Sequence, residues 1–212
     1  AENTAMQNFV NGGTMLVAAA GNDGNSAHAY PASYDSVISV AAVDSSSNHA
    51  SYSQTTDQVE LAGPGSSVYS TVPTNSYGTK SGTSMATPHV VGTAALVWSH
   101  HLSCSNEQIR EALQASAQDR GATGRDNSYG WGIVKASDAN NYLNSWGCAG
   151  DPDFPPTGGG GGVDPVSGQL TNLSGSTGQW DRYTWTIPSG VSVMTIQILS
   201  LIHISEPTRR YR

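Results

Sequence analysis

The residues best suited to chemistry lie in one stretch, Gly82-Thr83-Ser84-Met85-Ala86-Thr87-Pro88-His89, which runs directly into an apolar segment at residues 90–98. The pattern predicts a Gly-rich turn opening a buried helix, because Val90, Val91, Ala94, Ala95, Leu96 and Val97 leave it almost no polar face. Helix N-termini carry unpaired N–H groups and a partial positive charge. A serine there presents its hydroxyl from a fixed backbone, beside donors that can hold an oxyanion. Gly82 and Ala86 leave room for a substrate carbonyl, and Pro88 is expected in the first turn, where its missing N–H does little harm. A second polar residue, Asn22, follows the apolar run at residues 15–20 and Gly21. In open α/β sheets ligands bind beyond the carboxyl ends of strands, so Asn22 is placed to reach one. Each residue alone has a plain alternative: a capping serine, and an Asn-Asp-Gly turn.

Together the two segments carry more. The octapeptide resembles the nucleophile signature of subtilisin-like serine proteases. Ala18-Ala19-Ala20-Gly21-Asn22 resembles the segment of that family whose asparagine donates to the oxyanion. The resemblance implies a serine endopeptidase that works through an acyl-enzyme on Ser84, with the Asn22 amide and the Ser84 N–H as oxyanion donors. It implies that Ala18, Ala19, Ala20 and Gly21, with Thr83, form a wall of the substrate cleft. It also implies a weak calcium or sodium site on the carbonyls of Ala32, Tyr34 and Val37, with Glu60 as the acid. An ordinary solvated loop is the alternative there, and no cofactor is required for the chemistry.

The general base is not evident. Enzymes of this kind carry the acid first, then the histidine, then the serine. Only His28 and His49 precede Ser84, and neither sits in the family's Gly-His-Gly-Thr setting. His89 is expected to be a core histidine pointing away from Ser84. The Asp and His are therefore expected upstream, on a missing N-terminal half of the same domain, and this stretch is expected to be inactive alone. An α/β-hydrolase elbow needs an apolar strand before its serine, whereas residues 75–81 are polar. A sedolisin would have an acid in place of Asn22. A catalytically dead homologue or a secreted binding module remains the alternative from another class.

Composition fits a compact secreted protein. Of 212 residues, 12% are charged, and 9 basic against 16 acidic residues give a net charge of -7. No basic cluster precedes the last few residues, which argues against nucleic acid. No apolar run is long enough to span a bilayer. The expectation is an extracellular monomer acting on proteins or peptides. Residues 1–6 lack the charged and apolar regions of an export signal, so sequence upstream of residue 1 is expected. Cys104 and Cys148 are compatible with one disulfide and an oxidising compartment, and equally with two buried thiols.

The elements that must position these residues follow from periodicity. Residues 1–13 read as a helix stopped by Gly12-Gly13. Residues 15–20 and 37–43 read as buried parallel strands, and 50–53, 59–62 and 130–134 as short ones. Residues 68–72 and 77–80 flank a hairpin turn. Ser105-Asn106-Glu107-Gln108 is a capping box that opens a helix, and a last helix covers residues 137–143. Strand–helix alternation gives an α/β class, a mainly parallel sheet with helices on both faces. By the resemblance, residues 1–148 are the C-terminal part of a subtilisin-like catalytic domain. A Pro/Gly-rich linker follows at 149–166. Period-2 segments at 167–199 resemble the start of the pre-peptidase C-terminal domain of secreted bacterial proteases, a β-sandwich, here truncated. Residues 200–212 break that pattern and resemble translated sequencing adapter. They are read as a non-native tail, with a natural divergent strand as the alternative, and His203 and the arginines receive no role.

Overall fold

The computed structural model describes residues 2–154 and the backbone of residues 196–199. In chain order the elements are α1 (Glu2–Asn11), β1 (Met15–Ala19), β2 (Ile38–Val43), β3 (Val59–Pro64), β4 (Val68–Val72), β5 (Ser76–Lys80), α2 (Thr83–His100), α3 (Asn106–Ala115), α4 (Ala136–Trp146) and β6 (Ile196–Leu199). β3, β2, β1 and β6 lie side by side in one parallel sheet, with Val17 opposite Ile38 and Val40 opposite Leu61. β4 and β5 form a separate antiparallel hairpin.

The strands are continuous apolar runs because both sheet faces are covered, and every residue of β1 and β2 is buried. Successive side chains alternate between the faces. Met15 and Val17 join Val90, Ala94 and Val97 of α2 in one cluster, whereas Leu16 and Ala18 join Val10 of α1 in another. Burying each such valine or leucine contributes about 1.5–3 kcal/mol. α2 crosses β1, β2 and β3, and α3 and α4 pack against it. α3 opens with the capping box: Ser105 Oγ accepts from the Gln108 N–H, and Gln108 Oε1 accepts from the Ser105 N–H. Among the described residues no helix is long and apolar enough to cross a membrane.

Four local expectations change. Residues 50–53 form turns rather than a strand: the chain reverses there, the Ala50 N–H donates to the Ala42 carbonyl and Ser53 Oγ accepts from the Ala42 N–H. Residues 130–134 make only isolated bridges, from Ile133 to Ala62 and Gln118. Gly130 and Gly132 interrupt that stretch at φ 63° and 134°, where a Cβ would stand 2.2 Å from the backbones of Glu60 and Gln118. Pro88 lies in the second turn of α2, which begins at Thr83, so the Ser84 carbonyl loses its i+4 donor. Residues 196–199, read within the C-terminal β-domain, run along β1 instead, with Met15 opposite Ile196. Otherwise, the linker beyond residue 154, the β-domain read at 167–199 and the tail at 200–212 lie outside the described residues.

Cys104 and Cys148 are bonded, with Cα atoms 5.1 Å apart, and tie the loop before α3 to the turn after α4. Replacing both by alanine should lower stability by up to about 4 kcal/mol, the loop-closure entropy for a 44-residue separation. A urea titration reads this as a lower midpoint. An unchanged midpoint would mean that helix packing alone fixes these segments.

Candidate active site

β1 ends directly beneath the start of α2. Gly82, the residue before α2, has φ 155° and offers no side-chain cap. The cap comes from across the sheet instead: the Thr83 N–H donates to Asn22 Oδ1 at 2.8 Å. The Thr83 hydroxyl accepts from the Gly21 N–H at 3.3 Å and lies 3.0 Å from Asn22 Oδ1, to which it can donate. These bonds fix which end of the Asn22 amide faces α2, because a backbone N–H can only donate and so requires the oxygen. Nδ2 is thereby turned outward.

The first-turn amides of α2 can be accounted for one by one. Thr83 donates to Asn22, while Met85 and Ala86 donate to the Gly82 carbonyl at 2.9 and 3.3 Å. Among the described residues, the Ser84 N–H and Asn22 Nδ2 have no acceptor. Two unspent donors therefore flank the half-buried Ser84 at a helix N-terminus, an arrangement able to hold an anion or a developing oxyanion. A Cβ built at Gly82 would lie 3.5–3.6 Å from both Asn22 amide atoms and from Met85 Sδ, so Gly82 keeps this corner open.

On another side of Ser84 lies a cavity of about 350 Å³, lined by Tyr69, Val72, Lys80, Met85 and His89 among others. His89 is thus not a core histidine. It is half-buried at the cavity, about 140° around the helix from Ser84, with Nδ1 2.8 Å from the Met85 carbonyl. The other imidazoles are placed elsewhere. His28 pairs with Asp57 at 3.1 Å, His49 lies edge-on to Tyr129, and His101 bonds Asn140. Among the described residues no imidazole hydrogen-bonds to Ser84 Oγ.

The remaining site residues are placed as follows. Ala18, Ala19, Ala20 and Thr83 are buried beneath Ser84, whereas Gly21 is half-buried and Asn22 exposed. Ala18–Ala20 therefore reach a substrate only through backbone groups. Ala32 and Val37 pack in the α1-side cluster with Tyr34 against it, and the Tyr34 carbonyl accepts from the Val37 N–H at 2.8 Å. Glu60 does not fit a cation ligand here. Its carboxylate takes Arg110 Nε and Gln114 Nε2, both at 2.7 Å, on one oxygen and Arg110 Nη2 on the other. Arg110 also donates to the Asp35 carbonyl at 2.9 Å, so a guanidinium already supplies positive charge between Glu60 and this loop. Burial works against that charge, but the bonds and charge of Glu60, aided by Glu107 and Asp35, outweigh it and raise the Arg110 pKa. Among the described residues no three His, Cys, Asp or Glu side chains group to hold a metal.

The Subtilase family model matches residues 1–132. Subtilisin DY of Bacillus licheniformis is 46% identical over 131 residues, covering 60% of this chain and 47% of the relative. Subtilisin Savinase of Lederbergia lenta is 43% identical over 135 residues, 64% of this chain and 49% of the relative. Subtilisin E of Bacillus subtilis (strain 168) is 41% identical over 140 residues, 64% of this chain and 36% of the relative. This chain spans about half or less of the length of these relatives. A psychrophilic subtilisin-like protease from the Antarctic psychrotroph Pseudoalteromonas sp. AS-11 superposes with a TM-score of 0.67 at 26% identity, covering 71% of this chain and 68% of that one.

The Glu60–Arg110 pair gives a direct test. Side-chain exposure is 8% for Glu60 and 17% for Arg110. Glu60→Ala leaves a buried guanidinium without its partner and should cost about 3–5 kcal/mol in denaturant unfolding. Glu60→Ala with Arg110→Met should recover most of that loss. A single variant as stable as the parent would show that water replaces the carboxylate.

Proposed function

Since the chain belongs to the subtilase family, we propose that its protein is a serine endopeptidase that hydrolyses peptide bonds of extracellular proteins through an acyl-enzyme on Ser84. The observation that carries this reading is the pair of unspent donors, Asn22 Nδ2 and the Ser84 N–H, at the N-terminus of α2 that bears the Ser84 hydroxyl. Ser84 Oγ gives its proton to a base and attacks the peptide carbonyl. The carbonyl oxygen becomes an oxyanion, which these two donors hold. The intermediate collapses, the base protonates the leaving amine, and water then hydrolyses the ester on Ser84. The chemistry draws on protein groups alone.

The base and the carboxylate that orients it are proposed to lie N-terminal to this stretch, since such enzymes order them before the serine. The partial coverage of the relatives and the positions of His28, His49, His89 and His101 support that assignment. These residues alone would then be inactive. The Cys104–Cys148 bond supports an oxidising, extracellular setting.

In the full-length protein, Asn22→Ala should lower kcat by about 10²–10³ and leave KM within about twofold, the size of loss known when subtilisin loses its oxyanion asparagine. A loss confined to KM would remove Asn22 from the oxyanion role.

A further inference from the structure

Asn22 sits on an exposed loop, and an exposed loop is a poor platform for a donor that must be held to about 0.5 Å. The sheet stops supporting the chain at Ala20, whose N–H donates to the Val40 carbonyl at 3.0 Å. From Gly21 onward a different residue takes over. Gln54 lies in the turn between β2 and β3 and is only 2% exposed. A side-chain amide offers two donors and an acceptor oxygen, all of which must be satisfied when buried.

The 21–27 loop satisfies them completely. Gln54 Oε1 accepts from the Asp23 and Asn25 N–H groups, both at 3.1 Å. Nε2 donates to Asn25 Oδ1 at 2.7 Å and to the Ala27 carbonyl at 2.9 Å. The Gln54 backbone N–H donates to the Gly21 carbonyl at 3.1 Å. One residue therefore holds the backbone immediately before Asn22 and immediately after it. Gln54 Cγ also lies over Gly21, where a Cβ would approach it to 2.5 Å, and Gly21 has φ 118°. Only glycine suits that position. Thr83 bonds the Asn22 amide, and Gln54 bonds the backbones of Gly21 and Asp23 on its two flanks.

We propose that Gln54 is a positioning residue for the oxyanion donor, fixing the backbone on both flanks of Asn22 so that Nδ2 keeps its aim at the reacting carbonyl. Gln54 touches no substrate and acts only through Asn22, so the assignment rests on the oxyanion reading given above. Its signature is coupling: a perturbed Gln54 costs rate only while Asn22 is there to be misplaced. A purely structural residue would instead lower the rate by the same factor whether or not Asn22 is present.

The test is a double-mutant cycle in the full-length protein, with rates normalised to titrated active sites. Gln54→Leu should lower kcat at least about tenfold with KM within about twofold, and in the Asn22→Ala background the same change should cost less than about twofold. Gln54→Glu retains oxygens for both amides but loses the Nε2 donors, and should show a smaller, equally coupled loss. It carries the cycle if Gln54→Leu does not fold. Hydrogen exchange on the chain itself should show the Asp23 and Asn25 amides exchanging at least about tenfold faster in Gln54→Leu, which removes the acceptor they share. An Asn22→Ala loss of normal size beside an unchanged Gln54 variant, or losses that simply multiply, would overturn the positioning role alone. An unchanged kcat in Asn22→Ala would overturn the oxyanion reading itself, and the role of Gln54 with it.

Discussion

One hydrogen bond sets how the loop after β1 meets the helix that carries Ser84: the Thr83 N–H donates to Asn22 Oδ1 at 2.8 Å. It satisfies a donor that every helix start leaves open, and it does so from a loop residue 61 positions away in sequence. It also sets the sense of the amide, which leaves Nδ2, like the Ser84 N–H, without an acceptor among the described residues. Reversing the amide would set two donors against each other and remove the outward one. The packing exists to bring these two ends together. β1 is buried on both faces, so its last residue has a fixed height, and α2 lies close over the strands because Gly63 and Ala86 are small. A Cβ at Gly63 would stand 3.0 Å from the Ala86 carbonyl.

Neutral groups perform most of the loop fixing. Gln54 holds residues 21–27, and Asn106 Nδ2 donates to the Val10 and Thr14 carbonyls at 2.9 and 3.0 Å, tying α3 to the start of β1. Buried amides avoid the desolvation that a buried charge would incur, provided every donor and acceptor is met. That suits a chain in which only 12% of residues are charged. Glu60 and Arg110 form a buried charged pair, and each supplies the other's counter-charge.

The regular elements were legible because their signals are local. Residues 15–20 are apolar at every position and 37–43 at all but Ser39, and Ser105 with Gln108 is a capping box by composition alone. The short strands at 50–53 and 130–134 failed because nothing in their composition reveals the reversals and glycine approaches that override alternation. At the site, Ser84 and Asn22 stood out through two motifs, and Asn22 bonds Thr83, the residue before Ser84. The Thr83 bond and the role of Gln54 were not visible. A glutamine between a serine and two threonines looks like surface loop, and only the fold places it under Gly21. The Arg110 partner of Glu60 was hidden for a similar reason, since it lies 50 residues away on α3. The His89 error came from treating α2 as buried all round, whereas its first two turns border a cavity.

The central claim is that Ser84 is the nucleophile and that its base comes from outside these residues. Fluorophosphonate labelling, located by peptide mapping, measures this most directly, because it reports an activated serine without needing turnover. Residues 1–148 alone should leave Ser84 unlabelled. The same residues joined to an N-terminal segment bearing an Asp and a His in the family's order should label at Ser84, and Ser84→Ala should abolish the label. Rapid, Ser84-dependent labelling of residues 1–148 alone would contradict the account, because it would place a working base among the residues described.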